Sequence, residues 1–417
     1  MYGHSWRVLW FAAAMALEDK GSILHLPLLQ RAKAALIVLV RVGLITCGLF
    51  LVLDFSFTRT GLWKRVLNLR QSNTGAPPWR IGDPYYHHGL DRNRDVTDYW
   101  GDKPYRLTTN SLGFKDWGVR EVSRVKPRCR TLFIGDSFTE GIGLAWDDTF
   151  VGMLQKQHPE CELLNAAVSG YSPSIYRNKI ARLLRDGFEV DRIVVFIDIS
   201  DIQDEAVHYE RAANGEIKDN ALYLVNDSAS PSSKAPPVEL RSNESKWSRA
   251  RRGLDRYFFV ASLLVHATTE KKEPVDVFDL YRSAWTYDKN LPGYGPGGVD
   301  SGIKRAIDEM VALSDLLTDH HVKLSVAVYP WPGQLLHDQR ESLQVKIWRD
   351  FCKTRCEYFL DLFPPFFDAI GGKEANTWLP EFFFNGDVHY NRNANELIAN
   401  YLSGRYRSLF ENDTSAR

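Results

Sequence analysis

Short runs of consecutive apolar residues alternate with stretches of helical periodicity through the middle and end of the chain. Residues 131–135 (TLFIG) read as a buried strand, followed by a helical stretch over about 147–158. A second strand is expected at 163–168, a helix at 174–185 and a third strand at 192–198 (RIVVFID). After residue 300 the alternation resumes: helix 303–320, strand 323–329 (KLSVAVY), helix 335–356, strand 357–361 and a last helix near 393–401. Strands alternating with helices form βαβ units and a mostly parallel sheet. The pattern therefore predicts an α/β domain built from residues 129–205 and 301–405.

The flanks read differently. Residues 34–53 carry one charge, Arg41, and lie between Lys33 and Asp54. About 20 apolar residues span a bilayer as a helix, so a transmembrane helix is expected here, with a buried helix as the alternative. Arg41 would cost roughly 2.5–3.5 kcal/mol at mid-membrane, but it lies nearer one end and can snorkel. Residues 1–33 are too long for the basic region of a signal peptide. Basic residues flank both ends of the span (Lys20, Arg31 and Lys33 before it, Arg59, Lys64, Arg65 and Arg70 after it), so charge does not choose a side.

Residues 54–80 read as a linker ending in Ala76-Pro77-Pro78, and 81–128 as a hairpin-rich prefix. Residues 206–300 form a large insertion. Within it, 226–237 has a loop composition, and 247–266 joins Arg249, Arg251, Arg252 and Arg256 to apolar residues in the manner of a helix packed over the domain, with a helix on a membrane surface as the alternative. The glycine-rich 293–298 follows no strand and opens no clear helix, so it reads as a flexible loop and not a phosphate cradle. Residues 406–417 are a tail.

Charge narrows the function. The 52 basic residues balance the 52 acidic ones, which argues against a nucleic-acid partner. Of five cysteines, Cys47 lies in the span. Cys129 and Cys161 precede strands expected to be neighbours, so either a disulfide outside the cytosol or free thiols fits. Cys352 and Cys356 are one helical turn apart and lack further ligands for zinc. No metal is expected; Asp198, Asp201 and Asp204 lack the glycine and glutamate of a calcium loop.

The chemistry concentrates in two places. Gly135-Asp136-Ser137-Phe138-Thr139-Glu140-Gly141 follows the first strand, and ligands of open parallel sheets bind beyond the carboxyl ends of strands. Ser137 thus stands where a nucleophile belongs. A serine needs a base to take its proton, and Asp387 with His389 supplies one: in extended backbone, residues two apart share a side. The carboxylate can then orient the imidazole toward Ser137. The pairs His87-His88 and His320-His321 are read as surface or structural residues.

These residues resemble the SGNH/GDSL hydrolase superfamily, whose first block is GDS-x-T-x-G and whose last places Asp shortly before His. The spacing here, D-x-H, is similar to that of membrane-anchored and periplasmic members, including relatives that acetylate alginate. Ser169-Gly170-Tyr171 fits the second block. The third departs: Ser200 stands where the family has an oxyanion-holding Asn. The resemblance implies a three-layer α/β/α flavodoxin-like sheet, and a catalytic Ser137, Asp387 and His389. It also implies an oxyanion hole from the Ser137 and Gly170 amides, with Ser200 as the open question, and needs no cofactor. Trp331 is expected on the same rim, stacked on a sugar or packed in a turn. The implied activity is hydrolysis of an O-acyl ester on a small molecule or envelope glycan. Transfer of the acyl group to a polysaccharide, or a catalytically weak glycan-binding scaffold, are the alternatives. A single-pass anchor with an extracytoplasmic catalytic domain is the expected location.

Overall fold

The computed structural model describes residues 28–59, 77–101, 103–220, 282–288, 291 and 293–411. They fall into two units. In the first, one helix runs Leu28–Arg59, and its stretch Ala35–Ser56 is long and apolar enough to cross a membrane, with mean hydropathy 2.7. The helix outruns the expected 34–53 at both ends. It follows Pro27 in the sequence, and no proline or glycine interrupts 54–59.

The second unit opens with two antiparallel hairpins. Strands β1 (Arg80–Asp83) and β2 (His87–Leu90) form the first, β3 (Asp95–Trp100) and β4 (Lys103–Thr108) the second. The central sheet follows: β5 (Arg130–Ile134), β6 (Glu162–Asn165) and β7 (Arg192–Ile197). A small hairpin, β8 (Tyr209–Arg211) with β9 (Ile217–Asp219), precedes the last two central strands, β10 (Lys323–Val328) and β11 (Tyr358–Asp361). The five central strands are parallel in the order β6-β5-β7-β10-β11. This is the doubly wound, flavodoxin-like order, and its reversal point lies at β5.

Every residue of β5, β6 and β7 is buried, as expected where helices cover both faces and strands read as unbroken apolar runs. Helix Gly298–Asp319 packs on Pro173–Arg185, and Arg392–Arg405 on Phe150–Gln157, completing three layers.

Two sequence expectations need correction. The single helix at 335–356 is two, Pro332–His337 and Leu343–Arg355, because the Ser342 hydroxyl caps the second by accepting from Gln344 N–H. The stretch 293–298 does lead directly into a helix: Gly297 is the N-cap and Gly298 the first residue, with Gly293, Gly295 and Gly298 at positive φ and Tyr294 buried between them. Residues 226–237 and 247–266, like most of the insertion and of the linker, lie outside the described residues.

Both cysteine pairs are disulfides: Cys129–Cys161, which ties the chain before β5 to the chain before β6, and Cys352–Cys356. The second was not expected from a one-turn spacing. The helix stops at Arg355, and Cys356 turns extended, so its side chain is no longer held in helical register.

Candidate active site

The loop after β5 turns sharply into the four-residue helix Ser137–Glu140, with Asp136 as its N-cap. Only glycine fits at 135: a Cβ there would come within 2.4 Å of Thr139 Oγ1 and 2.9 Å of the Phe196 carbonyl. That close approach to β7 places Ser137 at the carboxyl end of β5, at the reversal of strand order. As the first helical residue, Ser137 has a backbone N–H without an intrahelical acceptor.

Asp387 and His389 lie in a tight loop closed by a bridge between Phe383 and Tyr390. Asp387 N–H donates to the Phe384 carbonyl, and Phe384 N–H to that of His389. The two side chains share a side: His389 Nδ1 is 2.7 Å from Asp387 Oδ1, and His389 Nε2 is 2.9 Å from Ser137 Oγ. With Nδ1–H donated to the carboxylate, Nε2 is the free base facing the hydroxyl. The imidazole is held between the Phe138 ring (stacked, centroids 4.8 Å apart) and the edge of Trp100 (4.7 Å).

A third donor reaches Asp387 from the prefix: Trp100 Nε1–H bonds its Oδ2. Burial pushes the Asp387 carboxyl up, but the His389 ring and backbone N–H together with Trp100 reverse this and hold its pKa at about 2. It is ionised wherever His389 could act as a base.

Below the nucleophile lies a second buried carboxyl pair. Tyr329 hydroxyl stands 2.9 Å from Asp136 Oδ1 and 2.8 Å from Asp198 Oδ2. One hydroxyl proton serves only one acceptor, so one carboxyl must itself donate. Asp198 accepts from Ser200 N–H (2.7 Å) and Trp331 Nε1–H (2.7 Å), and Asp136 Oδ1 accepts from Phe138 N–H (3.0 Å). Burial drives Asp136 upward and the neighbouring Asp198 drives it further. Asp136 Oδ2 is 3.2 Å from Ser137 Oγ, where a protonated carboxyl competes less than an anion for the hydroxyl proton that His389 takes.

Trp331 is therefore not a rim platform. Its indole is 4% exposed, spent on Asp198 and stacked on Phe138. Ser200 follows β7 as expected, but its N–H donates to the Asp198 carboxyl at 2.7 Å. Gly170 lies in a turn closed by Tyr171 N–H to the Val168 carbonyl, at φ +80°. Its N–H makes no hydrogen bond among the described residues, whereas its carbonyl accepts from Tyr209 hydroxyl at 2.6 Å.

The aspartates weighed as metal ligands face protein donors. Asp201 accepts from Tyr176 hydroxyl, and Asp204 pairs with His208 and Arg282. His320 and His321 sit at the end of helix Gly298–Asp319. His88, in contrast, is half-buried beside the Gly170 turn, where its Nε2 is 2.8 Å from the Ser169 carbonyl.

Sequence reading missed Trp100 and Arg80 and took His88 as surface or structural; all three stand on the prefix hairpins. Arg80 grips Glu140 of the nucleophile turn through both terminal nitrogens, at 2.7 and 3.1 Å. The available signal was the glutamate inside Gly135–Gly141: a buried acid so close to the nucleophile requires a cation from elsewhere in the chain.

No family model matches this chain, and no curated protein matches it. Solved structures similar to it include a psychrotrophic esterase from Pseudoalteromonas sp. (13% identity, covering 68% of this chain and 99% of that one, TM-score 0.34). Others are an acetylxylan esterase from Geobacillus stearothermophilus (10%, 69% and 96%, 0.36) and a member of the lipolytic G-D-S-L family from Veillonella parvula (8%, 67% and 98%, 0.36). These are partial likenesses of fold. Among the described residues, the sheet order and the Ser–His–Asp arrangement define an α/β protein of the kind the SGNH resemblance implies.

Proposed function

We propose that this chain is an SGNH-type serine esterase that works through an acyl-enzyme. One observation carries the reading: Ser137 Oγ, His389 and Asp387 form a continuous hydrogen-bonded line of 2.9 and 2.7 Å at the carboxyl end of β5. Ser137 Oγ attacks the ester carbonyl while its proton passes to His389 Nε2. The tetrahedral oxyanion is held by the N–H groups of Ser137 and Gly170, worth roughly 100–1,000-fold in turnover per donor. His389 then protonates the departing alcohol. Water, deprotonated by the same nitrogen, attacks the acyl carbon and releases the acid and the free serine. Asp387 balances the imidazolium formed in each half. No cofactor enters these steps.

The substrate class is an O-acyl ester. Its assignment to an O-acetylated envelope glycan follows from the sequence resemblance, and transfer onto a glycan hydroxyl is the same chemistry with water replaced as acceptor. An extracytoplasmic domain on a single-pass anchor is supported by the apolar helix and by two disulfides among the described residues.

The test is p-nitrophenyl acetate hydrolysis by the full chain in detergent, beside Ser137→Ala and His389→Ala. Turnover lost in both variants is the expected result, and turnover surviving Ser137→Ala rejects the assignment. Adding oligosaccharide and searching for acetylated product by mass spectrometry separates transfer from hydrolysis.

A further inference from the structure

The Gly170 N–H belongs to the central peptide of the turn Val168–Tyr171, and that peptide has two possible directions. Positive φ at the third residue of a turn closed by a 3.2 Å bond from Tyr171 N–H to the Val168 carbonyl is the type II form. The type I form closes the same bond with that φ near −90°, which turns the Ser169–Gly170 peptide by about half a rotation. Glycine tolerates both forms, so neighbouring groups must decide which is occupied.

The deciding contact comes from the first hairpin. The Ser169 carbonyl faces His88 Nε2 at 2.8 Å. A carbonyl has no proton to give, so Nε2 carries the hydrogen, and His88 Nδ1 faces His87 Nδ1 at 2.7 Å. In a trans peptide the carbonyl and the following N–H point in opposite directions. With its oxygen tied to the hairpin, the peptide aims Gly170 N–H away from the hairpin, and that N–H is left without an acceptor among the described residues. A flip would put the N–H against the imidazole N–H, replacing a bond with a clash of two donors.

The surrounding contacts hold both partners in place. Ser169 N–H donates to Glu140 Oε2 at 2.7 Å, Tyr171 hydroxyl donates to the His88 carbonyl at 2.6 Å, and the Tyr171 ring meets the His88 ring edge-on. His88 is half-buried, and desolvation holds its pKa down at about 4, so the ring stays neutral near pH 7 with its single hydrogen on Nε2.

We infer that His88 is a positioning residue of the oxyanion hole, fixing the direction of the Gly170 N–H by holding the Ser169 carbonyl. The inference rests on the esterase reading above. It gives a second histidine a role in turnover, although it touches neither substrate nor nucleophile.

The experiment compares the full chain with His88→Gln, His88→Asn, His88→Ala and, as control, Ser137→Ala, all on p-nitrophenyl acetate, with folding checked by circular dichroism. A glutamine amide N–H can occupy the place of Nε2, whereas asparagine reaches only as far as Nδ1. The expected result is a kcat about 10–100-fold lower for His88→Asn and His88→Ala with KM within about twofold, short of the loss from deleting an oxyanion donor. His88→Gln should recover kcat to within about fivefold of the parent. Full kcat in folded His88→Asn or His88→Ala would overturn the inference. So would folded His88→Gln as slow as His88→Asn, or a loss confined to KM. Activity surviving Ser137→Ala would instead overturn the esterase reading, and this inference with it. The Gln–Asn pair, alike in polarity and differing in reach, keeps the test decisive if His88→Ala does not fold.

Discussion

Trp100 donates its indole N–H to the Asp387 oxygen that His389 leaves unused. A residue of the second prefix hairpin thereby fixes the carboxylate that orients the proposed base, while its ring edge packs on the imidazole. Trp100→Phe keeps the ring contact and removes the donor. We expect kcat to fall about tenfold with little change in KM, since a carboxylate free to rotate no longer holds the imidazole in line. Steady-state kinetics on p-nitrophenyl acetate checks this.

The low pKa of Asp387 has a stability consequence with a definite sign. Its folded value is about 2 against an ordinary 3.8, so its contribution is complete above the unfolded value and fades as pH falls toward 2. Between pH 6 and 3 the parent should lose about 1 kcal/mol that Asp387→Asn does not lose. Urea unfolding of both proteins at the two pH values measures the difference.

Asp136 behaves in the opposite sense. Its pKa is raised, so the folded state binds the proton more tightly and stability falls as pH rises above the unfolded value. Asp136→Asn mimics the neutral acid. It should retain activity within about fivefold, and it should gain stability over the parent at pH 7 relative to pH 4. A collapse of activity in a folded Asp136→Asn protein would show that the ionised form is required.

Much of this was legible in the chain, for a physical reason. Buried parallel strands must be apolar on both faces, so 131–135, 192–198 and 323–329 announce themselves, and Asp387 and His389 are close enough in sequence for backbone geometry to bring them together. Trp100, Arg80 and His88 reach the site only through tertiary folding of the hairpins, with no spacing to connect them to Ser137. Trp331 stayed open between a sugar platform and a packed turn because its place after β10 says where it begins, not which way the indole turns. The glycines at 293–298 hid a helix start because positive φ at Gly293 and Gly295 belongs to the turn that precedes it, and Gly298, the first helical residue, also has positive φ.

The Arg80–Glu140 pair is buried on the glutamate side, where the side chain is 0% exposed. Arg80→Met leaves an unpaired buried charge and should cost roughly 3–5 kcal/mol. Adding Glu140→Gln should recover part of that loss. Urea denaturation of the single and double variants tests the coupling.

The cysteines give a simple count. Under denaturing, non-reducing conditions one of the five cysteines, Cys47, should alkylate, and all five after reduction. Intact-mass spectrometry of protein from its native source would also report the redox character of the compartment.

The prefix hairpins have a consequence for how such a centre can be moved or inherited. A cut placed just before β5 would respect the sheet and separate the site from three hairpin side chains that brace it: Arg80 on Glu140, His88 on the Ser169 carbonyl, Trp100 on Asp387. The smallest transplantable unit therefore begins near Pro77. Grafting the three sequence blocks onto a foreign scaffold would carry over the reacting groups and leave behind the clamp that tunes them. Descendants of this chain would have to exchange hairpins and blocks together, as one cassette.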